Sequence, residues 1–201
     1  MKLYGSPGAC SLSPHIVLLE AALPFEFVTT NTKTKLLPNG GDFKTINANG
    51  YVPVLEFDDG ERLTEGPAIV QYIADQVPEK NLAPANGTRA RAHLQEWLNF
   101  VTSEIHKGFS PLFSPATPEE YKVMSREKLK LRYRYVDASL AGKKFLLGDT
   151  FTVADAYLFV VTRWSSKTGV DIDGLRNLAQ FMERVAERPA VKEALKAEGL
   201  Q

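Results

Sequence analysis

A single cysteine, Cys10, is the residue of this chain best suited to nucleophilic chemistry. It follows the loop Gly5-Ser6-Pro7-Gly8 and precedes Ser11-Leu12-Ser13-Pro14, where a serine cap and a proline in the first turn predict the start of a helix. Because the positive end of a helix favours a thiolate, we expect a reactive thiol here; a buried structural cysteine is the alternative. Residue 13 is a serine, which excludes a two-thiol redox cycle within the motif.

A second set of candidate binding groups lies where a predicted strand leads into a predicted helix. The run 54–57 is apolar and typical of a strand, and Asp59-Gly60 predicts a hairpin turn after it. Glu65-Gly66-Pro67 then opens a run of apolar residues at helical spacing, with proline at the first helical position. Free amides at such a helix start bind a carboxylate, Glu65 would bind an ammonium, and Val52 can present its backbone N–H and C=O. These groups favour a small zwitterionic peptide as the ligand, although a hairpin and helix of an ordinary α/β domain would show the same pattern.

Composition and charge limit the function classes. The chain has 201 residues, 44% of them hydrophobic and 24% charged, which suits one or two globular domains. The formal net charge is zero, so nothing favours nucleic acid or an anionic membrane as a partner. No apolar run is long enough to span a bilayer and the N-terminus lacks a signal-peptide core, so we expect a cytoplasmic protein.

The elements that position these residues follow a simple order in the first half of the chain. Strand-like segments at 2–4 and 25–30 flank the helix that follows Cys10, a short helix is predicted at 43–46, and the hairpin and its helix complete the half. This order, β-α-β-α-β-β-α, predicts two parallel strands and then an antiparallel pair. Pro78 ends the segment, and the proline- and asparagine-rich stretch 79–87 predicts a linker. We therefore divide the chain into domains at 1–80 and 87–201.

The second half is predicted to be entirely helical. From Thr88 an apolar face recurs at helical spacing, while Asn99, Ser103 and His106 share another face, and Gly108 is expected to end the helix. By itself, His106 would be an ordinary polar surface group. Capping boxes are predicted at 117–120 and 152–155, the helix after the second box is apolar nearly all round, and two further helices are predicted at 175–185 and from 188.

The chain as a whole resembles the glutathione transferases, and most closely the bacterial beta class. The resemblance is carried by Lys2-Leu3-Tyr4, by the segment 7–15 around Cys10, by Gly50-Tyr51-Val52-Pro53, by 63–69, and by the helical pattern of the second half. It implies an α/β thioredoxin-like N-terminal domain that binds glutathione and an all-α C-terminal domain that forms the electrophile pocket. Gly5 departs from the class, in which an aromatic residue is expected there, and this change puts the wall beside the thiol in doubt.

The resemblance also implies roles for individual residues. Cys10 would hold the glutathione sulfur and could form a mixed disulfide with it, while His106 would polarise or deprotonate near that sulfur, and these two are the implied catalytic residues. The implied glutathione-binding residues add the Val52 backbone for the cysteinyl part, Glu65 for the γ-glutamyl ammonium, the Gly66 amide for its carboxylate and Lys35 for the glycyl carboxylate. Asn99, Ser103 and Glu104 would complete the site, some of them from a partner subunit, so a homodimer is implied. Glutathione is the implied co-substrate, with no metal.

Three functions remain open at this point. The first is conjugation of reduced glutathione to small hydrophobic electrophiles. The second is glutaredoxin-like thiol–disulfide exchange or peroxide reduction through Cys10. The third is a transferase-like scaffold that binds a partner without catalysis; the presence of Cys10, Val52, Glu65 and His106 counts against it.

Overall fold

The computed structural model describes residues 1–200, and these form two compact units. The first unit comprises Met1–Ala83 together with the C-terminal segment from Arg188 onward. The second unit comprises Pro84–Glu187. The predicted division differs from this grouping, because it assigned residues 188–201 to the helical domain; residue 201 lies outside the described residues.

A four-stranded sheet in the order β2-β1-β3-β4 organises the first unit. Its strands are β1 (Lys2–Gly5), β2 (Glu26–Thr29), β3 (Val54–Glu56) and β4 (Arg62–Thr64). β1 pairs in parallel with β2, placing Tyr4 opposite Val28, and antiparallel with β3, placing Tyr4 opposite Val54. β3 and β4 form the predicted antiparallel hairpin. The pattern of two parallel strands followed by an antiparallel pair agrees with the order of elements in the sequence.

Helices cover this sheet because its central strands are apolar. α1 (Leu12–Ala21) packs against α2 (Gly66–Gln76) and against α9 (Pro189–Ala197). A three-residue 3-10 turn, Phe43–Thr45, carries the buried Phe43, whose ring lies 6.0 Å from that of Tyr4. Tyr4 is 5% exposed, so it is a core residue. Another short 3-10 turn, Pro78–Lys80, follows α2.

α9 belongs with the first unit because of specific contacts to α1. The Arg188 guanidinium donates to both carboxylate oxygens of Glu20, at 2.6 and 2.8 Å. Just after the helix, the Glu198 side chain is buried and lies 2.8 Å from the His15 ring. These are contacts between residues more than 160 positions apart, which local patterns in the sequence do not reveal.

The second unit is helical, and its centre is the helix that the sequence predicted to be buried. It contains α3 (Arg89–Phe100), a π-helical segment (Val101–His106), α4 (Lys107–Phe113), α5 (Glu119–Ser139), α6 (Val153–Thr162), α7 (Trp164–Thr168) and α8 (Arg176–Ala186). Every residue of α6 is buried. The capping box at its start is present, with the Asp155 carboxylate accepting from the Thr152 N–H at 2.8 Å.

Two local predictions in this unit are wrong. α5 begins without a side-chain cap, so the box predicted at 117–120 does not form. Gly108 does not end a helix; it lies inside α4, where a Cβ would approach Leu129 Cδ2 of α5 to 2.8 Å. Glycine at 108 therefore permits close packing of two helices. The sequence pattern alone does not distinguish this role from that of a glycine that ends a helix.

Candidate active site

Cys10 lies at the start of α1, beside the chain that leads into β3. Its Sγ donates to the Val52 carbonyl oxygen at 3.3 Å, and the Val52–Pro53 peptide is cis. Ser11 occupies the N-cap position, but its hydroxyl does not cap the helix, so the predicted serine cap does not form there. Instead it accepts from the Ser6 N–H at 3.0 Å and closes the loop that carries Cys10. The structure thus brings together the predicted sulfur site and the predicted peptide-binding backbone.

The free thiol is not poised as the sequence suggested. Burial raises the pKa of Cys10 to about 12, and the nearby Glu65 carboxylate adds to this effect. The backbone N–H groups of Cys10 and Ser11 act in the opposite direction, as a helix start should, but desolvation is the larger effect. Cys10 is therefore a neutral thiol at pH 7. The helix start lowers the pKa of this thiol, as the sequence indicated, but the effect of burial outweighs it.

Glu65 stands at the junction between β4 and α2 with an unusual backbone. Its φ of 66° and ψ of 110° lie in a region that a residue with a Cβ rarely adopts. Its carbonyl accepts from the N–H groups of Ala68 and Ile69, both at 3.0 Å, whereas its carboxylate is exposed and does not cap the helix. Strained backbone of this kind concentrates at ligand sites. The side chain and the Gly66 amide are thus presented at the helix start, as the sequence predicted.

Lys35 is held against the turn that precedes Val52. It has a positive φ of 61°, its Nζ donates to the Gly50 carbonyl at 2.8 Å, and it lies 5.5 Å from the centroid of the Tyr51 ring. Tyr51 is 71% exposed, so this ammonium borders open surface. The first unit therefore carries Cys10, Lys35, Val52, Glu65 and Gly66, the five predicted residues of the N-terminal half.

His106 is the centre of a separate cluster in the second unit. Its Nδ1 lies 2.5 Å from the Tyr157 hydroxyl, and its ring meets the edge of the Trp164 ring at 5.0 Å. Burial, with a smaller effect of Lys107, lowers the pKa of His106 to about 4, so the imidazole is neutral at pH 7. The sequence did not single out Tyr157 for function, because its place in a fully apolar helix indicates only a core residue.

The remaining predicted residues lie on the π-helical segment or just before it. The Ser103 hydroxyl donates to the Asn99 carbonyl at 3.0 Å, and both residues are exposed. Glu104 accepts from Arg132 at 2.6 Å, and this hydrogen bond holds the pKa of its carboxyl below the usual value. The segment Val101–His106 is π-helical, and its turn is wider than the α-helical turn on which the predicted common face of these residues was based.

Comparison with known proteins identifies the family. Residues 8–76 match the model described as glutathione S-transferase, N-terminal domain, and residues 100–189 match glutathione S-transferase, C-terminal domain. The curated glutathione S-transferase GstA of Escherichia coli O157:H7 is 48% identical over 202 residues, covering 100% of both chains. This chain belongs to the glutathione S-transferase family.

Solved structures of other family members agree with the predicted class and fold. BphK, a bacterial glutathione transferase solved as a ternary complex, superposes with a TM-score of 0.98 at 55% identity, covering 100% of both chains. A bacterial beta-class transferase of Sphingomonas chungbukensis superposes with a TM-score of 0.97 at 46% identity, also covering 100% of both. The predicted fold class, a thioredoxin-like N-terminal domain followed by a helical C-terminal domain, is confirmed.

Family membership makes this transferase an enzyme with glutathione as its co-substrate. Within residues 1–200 there is no cluster of three or more His, Cys, Asp or Glu side chains that could hold a metal ion. Over the same residues, each helix is too short or too polar to cross a membrane.

Proposed function

We propose that this transferase conjugates reduced glutathione to small hydrophobic electrophiles, with Cys10 at the sulfur site. The observation that supports this most directly is the 3.3 Å contact between Cys10 Sγ and the Val52 carbonyl. A thiol and an accessible strand of backbone are what a cysteine-containing peptide needs for recognition. The proximity of the Glu65 carboxylate, which contributes to the pKa of Cys10, adds a cation-binding group to the same corner.

The tripeptide would be bound by its two charged ends. Glu65 takes the γ-glutamyl ammonium and the Gly66 amide, at the positive end of α2, takes the neighbouring carboxylate. Lys35 neutralises the glycyl carboxylate, and Val52 pairs its backbone with the cysteinyl residue. Gly66 has no hydroxyl, so it contributes one hydrogen bond through its backbone only.

A neutral Cys10 makes the glutathione sulfur the nucleophile. The glutathione thiol releases its proton to solvent, and its sulfur then forms a bond to the electrophilic carbon while the leaving group departs with its electron pair. The Cys10 S–H and the N–H groups at the helix start would stabilise the glutathione thiolate before attack. Exchange with oxidised glutathione would instead need the Cys10 thiolate to attack the disulfide, which breaks the S–S bond and expels one glutathione as a thiolate that then takes a proton from solvent. The raised pKa of Cys10 counts against this second reaction.

The second unit would supply the electrophile surface. Trp164 contacts the rings of His106, Phe109 and Phe113 at 5.0 to 5.6 Å, and Phe113 is 53% exposed. Such a partly exposed aromatic cluster suits a planar apolar substrate. A neutral His106, oriented by the Tyr157 hydroxyl, would polarise groups near the sulfur as a hydrogen-bond partner. Asn99, Ser103 and Glu104 would contribute to glutathione binding.

We further propose that the chain forms a homodimer. α5 exposes Met124, Leu131 and Tyr135 at 61%, 56% and 54%, and the Tyr135 ring contacts those of Trp97 and Phe100 at 5.9 and 5.1 Å. Apolar groups clustered in this way usually mark an interface. Sedimentation equilibrium should give twice the chain mass for the wild type, and Tyr135→Glu should weaken the association. A monomer at all concentrations would contradict the proposal.

The proposed function is tested with a panel of chloro-nitroaromatic, hydroperoxide and mixed-disulfide substrates, together with calorimetry of reduced glutathione. Cys10→Ala should retain glutathione binding, lose the mixed disulfide, and lower conjugation about tenfold to a hundredfold, because a hydrogen bond to a charged sulfur contributes about 1.5–3 kcal/mol. Glu65→Gln should weaken glutathione binding, whereas Glu61→Gln, an exposed carboxylate on the same hairpin, should not. Wild-type protein that gives no heat with glutathione would contradict the proposal and favour a binding scaffold.

A further inference from the structure

The loop that carries Cys10 is tied to the C-terminal end of the chain by one buried carboxylate. Glu198, directly after α9, has a side chain with 0% exposure. Its Oε2 accepts from the Gly8 N–H at 2.9 Å, and its Oε1 lies 2.8 Å from His15 Nδ1. Gly8 is two residues before Cys10 and His15 is five residues after it, so Glu198 contacts the chain on both sides of the thiol.

Both partners of this carboxylate are themselves fixed. The His15 ring stacks on Phe27 at 4.6 Å and meets the edge of Phe25 at 5.4 Å, which sets its orientation between α1 and β2. Gly8 has a positive φ of 72°, and a Cβ at that position would lie 3.4 Å from Leu200 Cδ2. A buried carboxylate is costly unless its oxygens are hydrogen-bonded, so each donor matters.

We propose that Glu198 is a positioning residue that sets the place of the Cys10 loop, and through it the environment of the glutathione sulfur site. The inference rests on the proposed role of Cys10. Within the loop, Ser6 is bonded to Ser11 and the Ala9 N–H to the Ser6 carbonyl, while the Glu198 carboxylate joins Gly8 to the C-terminal segment. Loss of this contact would let Gly8 shift relative to α1 and would expose more of the partly buried Cys10 side chain to solvent.

A neighbouring ion pair supplies the matched control. Glu20 and Arg188 also join α1 to α9, through two hydrogen bonds, but neither touches the Cys10 loop. Glu20→Gln therefore weakens the docking of the same two helices while leaving the contacts at Gly8 intact. Any effect of Glu198 that comes only from loss of stability will appear in both variants.

The single cysteine makes the readout specific, because alkylation by iodoacetamide reports on Cys10 alone. At pH 8, Glu198→Gln should react about three- to tenfold faster than the wild type, because a less buried thiol has a lower pKa and a larger thiolate fraction. The gain is limited because a thiolate of lower pKa is a weaker nucleophile. Calorimetry should show about tenfold weaker binding of reduced glutathione to this variant. Glu20→Gln should match the wild type in both measurements, even where its melting temperature falls.

Leu200→Ala guards against a Glu198 variant that fails to fold, because it shortens only the side chain beneath Gly8. It should change alkylation in the same direction by a smaller factor. Equal alkylation rates and equal glutathione affinities of the Glu198, Leu200 and Glu20 variants would overturn the inference. Glu198 would then contribute to stability only. If the wild type itself binds no glutathione, the proposed function fails, while a faster alkylation of Glu198→Gln would still support the positioning of the loop.

Discussion

At Gly5 the backbone of β1 runs directly against the ring of Phe27. A Cβ at this position would lie 2.6 Å from Phe27 Cε2 and 2.9 Å from Ser11 Oγ, so no side chain fits. The class that the sequence resembles would place an aromatic residue here. In this chain, the ring that fills the space comes from β2 instead. The Phe27 ring therefore occupies the space that a side chain at residue 5 would fill, and it closes the wall beside the Cys10 loop.

Gly5→Ala should lower the free energy of unfolding by about 1–3 kcal/mol, because it overpacks this contact. The same change in a Phe27→Leu background should cost less, because the contact with the ring is removed while the contact with Ser11 Oγ remains. Urea denaturation of the four proteins gives the coupling between the two sites. An equal cost in both backgrounds would show that the ring is not what excludes a side chain at residue 5.

Among the elements, α4 and α5 approach closely at Gly108. Ordinarily Gly→Ala inside a helix stabilises it by about 1 kcal/mol. Here the new methyl would meet Leu129 Cδ2 at 2.8 Å, so Gly108→Ala should destabilise by about 1–3 kcal/mol and be relieved by Leu129→Val. Thermal unfolding of the single and double variants decides the matter. A stabilising single substitution would mean that the helices adjust freely.

The start of α6 should make stability depend on pH. Burial raises the pKa of Asp155 to about 6 from its ordinary value of 3.8, although Leu146 and Thr152 donate hydrogen bonds to it. Because the folded form holds this proton more tightly than the unfolded form, the contribution of Asp155 is complete below about pH 4 and is lost as the pH rises to about 6. A shift of two units corresponds to about 3 kcal/mol.

Asp155→Asn removes the titrating group, so the difference in unfolding free energy between wild type and variant isolates it. The free energy of unfolding of the wild type minus that of the variant should fall by about 3 kcal/mol between pH 4 and pH 7, as measured by urea denaturation. Asp149→Asn, at a carboxylate whose side chain is 81% exposed, should leave the pH dependence of the wild type unchanged. A difference that stays constant, or one that grows with pH, is incompatible with the raised pKa.

Local patterns predicted most of these elements but not the contacts between them. Period-two and helical spacing placed the strands and helices within a few residues, and the Thr152–Asp155 box was correct because its hydrogen bonds are local. The neutral state of Cys10, the role of Gly108 and the partner of His106 depend on burial or on groups more than 20 positions away in the sequence. Such features become visible only when the chain is folded, so the sequence predicted the elements better than it predicted the surroundings of the site residues.

At the scale of the whole molecule, the chain leaves the first unit after Ala83, forms the second, and returns at Arg188. The sequence alone suggested a single crossing at the linker. The return segment is short, but it buries Val191 and Ala194 and carries the two carboxylate networks described above. α9 should therefore be stabilised by the first unit, although it follows α8 directly in the sequence.

Native-state hydrogen exchange tests this grouping, because amides in one cooperative unit lose protection together. Glu20→Gln should lower the protection of α1 and α9 by similar amounts and leave that of α8 unchanged. Asp137 accepts from the Leu178 N–H at 2.9 Å and so anchors the start of α8; Asp137→Asn should lower protection in α8 without affecting α9. If α9 instead follows α8 in both variants, the C-terminal helix belongs energetically to the second unit, and the tie from Glu198 to the Cys10 loop would not survive opening of that unit.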